Sequence, residues 1–207
     1  MLTLPTIAGG FRVITADPPW QYKSRTALQA SNWASRRDVD KHYPTMPLEE
    51  IMAIPVKAMA AKEGCHLFLW TTSPCLKMAF DVMTAWGFRY SSMAFVWVKL
   101  KRKHNPMQLR LIQLAEQDLH VGLGLTTRKN AEFCLLARRG SPPKRMAKDI
   151  REIILAPVRE HSRKPDEFFE RVERYSNGPY VELFSRQSRP GWASFGNEST
   201  KFDGVAA

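Results

Sequence analysis

The run CHLFLWTT at 65–72 is continuously apolar over most of its length, and nothing else in the chain limits the fold as strongly. A strand with one wet face alternates apolar and polar residues. This run does not alternate, so it reads as a strand covered on both faces, the central strand of a layered α/β domain. Strand-like and helical runs alternate around it. FRVITA (11–16), SMAFVWVKLK (92–101), NAEFCLLARRG (130–140) and PYVELFSR (179–186) have strand character, and GWASFGNE (191–198) forms a short strand or loop. Such alternation predicts an α/β fold around a mostly parallel central sheet.

The helices carry their own punctuation. PLEEIMAIPVKAMAAKEG (47–64) reads as one or two short helices broken at Pro55. PCLKMAFDVMTAWGF (74–88) has apolar residues at helical spacing, with Ser73 as cap, Pro74 in the first turn and Gly87 at the end. PDEFFERVERY (165–175) starts at a proline, has acids in its first turn and meets an Asn177-Gly178 stop. Residues 102–128 are polar and irregular and read as a loop. At 207 residues, the chain is expected to be one domain spanning 1–207.

Hydrophobic residues make up 44% of the chain, which supports a packed core and argues against disorder. No apolar run reaches the length of a membrane span, and MLTLPTIAGG lacks the basic flank and long apolar stretch of a secretory signal, so an intracellular, cytoplasmic location is expected. The three cysteines and five histidines show no metal-ligand spacing, so no metal is expected. The formal net charge is +11, and basic residues gather at 35–41, 99–104, 138–148 and 163–175. A field of that sign suits a polyanionic partner, nucleic acid above all.

One stretch fits no regular element. In ITADPPWQYK, the strand meets Asp17, Pro18, Pro19 and Trp20. Proline removes a backbone donor and fixes φ, and the residue before it is driven away from helix, so the strand must stop here. The chain continues as a stiff loop with a carboxylate at its root and a flat aromatic at its tip. Ligands of open parallel sheets sit beyond the carboxyl ends of the strands. That places Asp17–Trp20 and FSRQSR (184–189) on one rim. Taken alone, the loop reads equally well as a rigid structural turn.

Taken with its companions, it resembles a family. ADPPW at 16–20 is similar to the signature of the DPPW-type adenine methyltransferases, the family of the messenger-RNA adenosine methyltransferase catalytic subunit and of bacterial and phage DNA adenine methyltransferases. HYPTMPLEEI (42–51), LFLWTT, WGF, VWVK, HSRKPDEFFERVERYS (161–176) and VELFSRQSRPGWASFGNE (181–198) appear in the family's order. The resemblance runs from about residue 11 to 200 and has the permuted, beta-class order, with the catalytic loop ahead of the main cofactor strand.

The resemblance implies a Rossmann-like fold with helices on both faces of the sheet, S-adenosylmethionine as cofactor, nucleic acid as partner and direct methyl transfer to the exocyclic amine of adenine; the compactness of the chain and its lack of RNA-binding appendages favour DNA over RNA. That amine is a weak nucleophile because its lone pair is delocalised into the ring. An acceptor pair that takes its two hydrogens favours the reactive geometry. The Asp17 carboxylate and the Pro18 carbonyl are the expected acceptors, held rigid by Pro18 and Pro19, with Trp20 against the base. Tyr43, Trp97 and Lys99 are expected on the substrate side. Asp17, Glu182, Phe184, Arg186, Asn197 and Glu198 are expected on the cofactor side.

His161 and Lys164 either line the rim or position phosphate, or they belong to a loop that caps the adjoining helix. Glu132 lies in a family-like segment, but Ala131 stands where some relatives carry Lys, which leaves the partner of the cofactor carboxylate open. Recognition would fall to loops 21–41 and 101–128, helped by a second copy or a partner subunit. Two further readings stay open here: the same chemistry on RNA, and an inert nucleic-acid-binding subunit on the same fold. Relatives that methylate glutamine or cytosine more often carry Asn-Pro-Pro-Tyr or Ser-Pro-Pro loops, so Asp17 and Trp20 favour adenine.

Overall fold

A computed structural model describes residues 4–21, 44–102, 115–122, 126–160 and 163–204. Tyr43, His161 and most of the two recognition loops lie outside the described residues. The elements are β1 (Val13–Ala16), α1 (Leu48–Ala53), α2 (Val56–Met59), β2 (Gly64–Thr71), α3 (Leu76–Ala85), β3 (Arg89–Leu100), β4 (Ala131–Gly140), β5 (Ile153–Pro157), α4 (Asp166–Tyr175), β6 (Tyr180–Leu183) and β7 (Trp192–Phe195). The strands form one sheet of order β5-β3-β4-β2-β1-β6-β7. The pairs β1–β2, β1–β6, β6–β7 and β3–β5 are parallel. Only β4 runs against its neighbours β2 and β3.

Both faces are covered, as the apolar run of β2 requires. Every residue of β2 is buried. On one face, Ile14, Leu67 and Leu69 pack with Ile51 of α1 and with Ala79, Val82 and Met83 of α3. On the other, Val13, Phe68 and Trp70 pack with Phe168, Phe169 and Val172 of α4. Successive side chains of β1 and β2 therefore enter different clusters, as the two-residue period of a strand dictates.

Local punctuation departs from expectation in three places. Ser73 makes no capping hydrogen bond; it opens a 3-10 turn, Ser73–Cys75, that leads into α3. Gly87 does end that helix, with φ of 79°, where a side chain would be strained. α4 stops at Ser176 rather than at Asn177-Gly178. Ser176 is buried with its hydroxyl 3.0 Å from His66 Nδ1, and this tertiary contact ends the helix before the glycine. The edge strand β5 goes beyond the sequence expectation, because five residues ending in proline, in a basic surround, give little periodicity to read.

β1, β2, β3, β5, β6 and β7 all point the same way, so their carboxyl ends share one rim. β4 runs oppositely and brings its first residues there. The rim thus gathers Asp17, Lys99, Glu132, Phe184–Arg186 and Asn197 from positions scattered along the whole chain.

Candidate active site

The DPPW loop is fastened at both ends. The carbonyl of Pro18 accepts the Trp20 N–H at 2.8 Å, and that of Pro19 accepts the Met46 N–H at 2.8 Å. Trp20 does not form an exposed tip, which corrects the expectation of an aromatic open to a base. It is only 6% exposed, sits in the hydrophobic cluster of β1, α1 and α3, and donates its indole N–H to the Trp70 carbonyl at 3.1 Å. The indole anchors the loop from beneath. Asp17 and the proline backbone are the parts that reach the rim.

Asp17 has a built charge environment. Lys164, from the segment entering α4, places Nζ 2.5 Å from Asp17 Oδ2 and 3.1 Å from Glu132 Oε2. Glu132 also pairs with Lys99. Acids and lysines alternate through Asp17, Lys164, Glu132 and Lys99. The Lys164 side chain is 6% exposed and lies 5.4 Å over the Trp70 ring.

Burial opposes the Lys164 charge, but Asp17 and Glu132 outweigh it and hold the ammonium protonated well above its ordinary range. Burial also acts against Glu132, yet the two lysines pull its carboxyl down to about 2. At Asp17, burial prevails and raises the carboxyl, with Lys164 working against it and Glu132 adding to it. Oδ1 of Asp17 accepts no hydrogen bond among the described residues.

Asp17 borders a cavity of about 490 Å³, walled by Pro19 and Met46 on one side and by Phe184, Arg186, Asn197 and Glu198 on the other. That volume lies within the ~300–1,000 Å³ of small-molecule sites. The wall is shaped by backbone as well as side chains. Phe184 holds φ of 61°, an uncommon conformation for a bulky residue, at the end of β6. A Cβ on Gly196 would sit 2.5 Å from the Ser185 carbonyl, so this close strand approach requires glycine. Arg186 Nε lies 3.7 Å from Glu198 Oε2.

The expected cofactor residues therefore divide. Phe184, Arg186, Asn197 and Glu198 converge on the cavity. Glu182 does not: it lines an adjoining small cleft that shares Asp17, Phe184 and Arg186 with the cavity and adds Arg163, Lys164 and Arg189. Its Oε2 is 3.2 Å from the Ser185 hydroxyl, and burial pushes its carboxyl up to about 7. Trp97 is corrected too. It is buried in the cluster beneath α4 and donates its indole N–H to the Ala156 carbonyl at 2.9 Å, so it has no face free for substrate. It supports Lys99, whose Nζ lies 4.9 Å above its ring. Lys164 lies on the rim, with its ammonium engaged by Asp17 and Glu132. Its pairing with Asp17 spans 147 positions of sequence, and only the HSRKPDE segment ahead of a helix on that rim hinted at it.

The cavity fits the adenosine-bearing cofactor implied by the sequence. Its apolar walls suit the base, and the Asn197 amide and Glu198 carboxylate suit hydroxyls. Among the described residues, no group of His, Cys, Asp and Glu could hold a metal, and no helix is long and apolar enough to cross a membrane.

The profile of the MT-A70 family matches residues 11–198. The Type II methyltransferase M.MunI of a Mycoplasma species is 30% identical over 200 residues, which cover 91% of this chain and 77% of that protein. A putative N(6)-adenosine-methyltransferase MT-A70-like protein of Medicago truncatula is 32% identical over 195 residues, or 93% of this chain and 27% of its own. The human N(6)-adenosine-methyltransferase catalytic subunit METTL3 is 27% identical over 203 residues, 97% of this chain and 30% of its own. This chain thus spans most of the bacterial relative and less than a third of the two eukaryotic ones.

Proposed function

The chain belongs to the MT-A70 family of S-adenosylmethionine-dependent methyltransferases, and we propose that it methylates the exocyclic amino group of adenine in DNA. One observation carries the reading: the Asp17 carboxylate stands at the end of β1, fixed through Oδ2 by Lys164, at the border of a cavity sized for the cofactor.

Phe184, Arg186, Asn197 and Glu198 would hold S-adenosylmethionine, which supplies an electrophilic methyl group when bound. The protein's own part is to hold the amine. Asp17 Oδ1 accepts one amine hydrogen. The Pro18 carbonyl, whose other lone pair is engaged by the Trp20 N–H, accepts the second. Both acceptors are rigid before substrate arrives, so little reorganisation remains for the reacting state. In a duplex, the base must leave the stack to reach them. Lys99 and Lys164 balance the charges of Asp17 and Glu132, so the two acids do not repel the approaching phosphates.

The match that runs along most of both chains is to a type II methyltransferase, and this supports DNA. The likeness to N(6)-adenosine-methyltransferases over 97% of this chain makes RNA the second reading. Nucleoside mass spectrometry after incubation with S-adenosylmethionine and either DNA or RNA tests both. Methyladenine in DNA alone is the expected result. Methyladenine in RNA alone keeps the mechanism and overturns the substrate. Neither product, with no cofactor binding, overturns the enzyme reading.

A further inference from the structure

The catalytic rim leaves one basic segment without a task. Residues 138–148, RRGSPPKRMAK, lie at the opposite end of the sheet. β4 carries the chain from Glu132 at the rim to Arg138, about 20 Å away at ~3.3 Å per residue. The segment leaves β4 at Gly140 and folds back across the face that α4 covers. Three tethers hold it: the Ser141 N–H to the Glu63 carbonyl at 2.7 Å, the Met146 N–H to the Tyr175 carbonyl at 3.0 Å, and an Asp149–Arg174 ion pair at 2.8 Å.

Beneath the segment is a second cavity, of about 260 Å³. Phe95 and Leu136 lie buried beneath it, and the half-buried Ala94, Ile150 and Tyr175 form its accessible apolar wall. Arg138 and Arg145 also line it, and no carboxylate does. Arg138 is steadied by Ser91, whose hydroxyl accepts from Nε at 2.8 Å and also from Nη2. Arg145 has neither a hydrogen bond nor an ion pair among the described residues. The nearest acid of the segment, Asp149, is already engaged by Arg174.

We propose that this cavity is a second binding site, for a nucleotide monophosphate unit. The volume is several times that of a bare phosphate and close to that of one nucleotide. The half-buried Tyr175, with Ala94 and Ile150, offers a base an aromatic and aliphatic wall, and contact of this kind is tolerant of base identity. Two guanidinium groups meet the phosphate with planar donor pairs, one of them without a competing partner. The unit comes either from a free nucleotide or from a nucleotide of a bound strand lying about 20 Å from Asp17. The second source rests on the methyltransferase reading; the first does not.

Cytidine 5′-monophosphate is the probe, because a pyrimidine is not the proposed substrate of the Asp17 pocket. It is titrated into the whole protein by NMR or calorimetry, beside Arg145→Ala, Arg138→Ala and Asp17→Asn. Binding that weakens at least tenfold in Arg145→Ala and is unchanged in Asp17→Asn is expected. The second arm compares single-stranded oligonucleotides of about 4 and 20 nucleotides. A loss of affinity in Arg145→Ala for the longer strand alone assigns the unit to a bound strand. Loss confined to cytidine 5′-monophosphate assigns it to a free nucleotide. Arg145→Ala behaving as wild type toward both probes, or cytidine 5′-monophosphate binding that disappears in Asp17→Asn, overturns the site whatever becomes of methylation. Arg145 is an exposed residue on a tethered coil, so its truncation leaves the core packing in place.

Discussion

Glu182→Gln makes the protein more stable at alkaline pH and leaves it unchanged at acid pH. Glu182 is half-buried in the small cleft beside Asp17. Burial raises its carboxyl from 4.5 to about 7, Ser185 and Arg189 pull it back, and the Asp17 charge adds to the rise. The folded state therefore binds this proton more tightly than the unfolded chain. Stability from that proton is full below pH 4.5 and is lost as pH climbs to 7. Above 7, the ionised carboxylate costs about 3 kcal/mol, a figure that local water entry lowers.

The hydrogen bonds agree with a neutral side chain. The Ser185 hydroxyl has one hydrogen, and its shorter contact is to the Gln187 carbonyl at 2.7 Å. Protonated Glu182 can then donate to Ser185 Oγ, and a glutamine amide can do the same. Urea titrations of both proteins at pH 4.5, 6, 7 and 8 measure the effect. The variant should match wild type at pH 4.5 and exceed it by about 1–3 kcal/mol at pH 8, or a few degrees to about 10 °C in Tm for a chain of this size. A difference that stays flat from pH 4.5 to 8 refutes the assignment of a neutral Glu182.

Other perturbations probe the site and the sheet. Asp17→Asn should lower methylation on the order of 10²–10³-fold while the circular dichroism spectrum and thermal midpoint stay close to wild type; activity within a few fold removes Asp17 from the mechanism. Trp20→Phe leaves the Trp70 carbonyl without its donor and should cost about 1–3 kcal/mol in urea unfolding, with the rate falling because the loop loses its anchor. Glu132→Gln removes one of the two charges facing Lys164. Its deficit against wild type should be full above pH 4.5, the ordinary carboxyl value, and vanish as pH falls toward about 2. Arg171→Ala should raise aggregation in light scattering, because Arg171 Nη1 blocks carbonyl oxygens along β5 (Arg151 O and, at 2.9 Å, Ile153 O) on an edge strand that exposes Ile153 and Leu155.

The direction of a strand is legible in sequence, and so is the residue that ends it. This is why Asp17 and Arg186 can be placed on one rim from the sequence alone. The facing of an aromatic is less legible. Trp20 and Trp97 are the right residue type for a base-stacking wall, yet both indoles point into clusters and give their N–H to neighbouring carbonyls. Period-two patterning says which residues share a face but not which face is wet when both are apolar. Glu182 illustrates the same limit: two positions before the cavity wall, it lines the adjoining cleft instead. β5 is hard to read because a five-residue edge strand is defined by its partner, β3, rather than by its own pattern.

Lys164 is the site residue least legible in sequence, and its physics explains the shape of the site. A carboxylate as deeply placed as Asp17 would take up a proton if left alone, and a protonated acid accepts amine hydrogens poorly. One lysine beside it works against that uptake but would also draw the carboxylate into a closed pair, with both oxygens engaged. Glu132 divides the attention of Lys164, and Lys99 in turn balances Glu132. The ammonium therefore sits between two acids and holds Asp17 by a single oxygen. The second oxygen is left for substrate. The chain must bring positions 17, 99, 132 and 164 to one rim to do this, and only a sheet in which β4 alone runs backwards puts Glu132 there beside the carboxyl ends of β1 and β3.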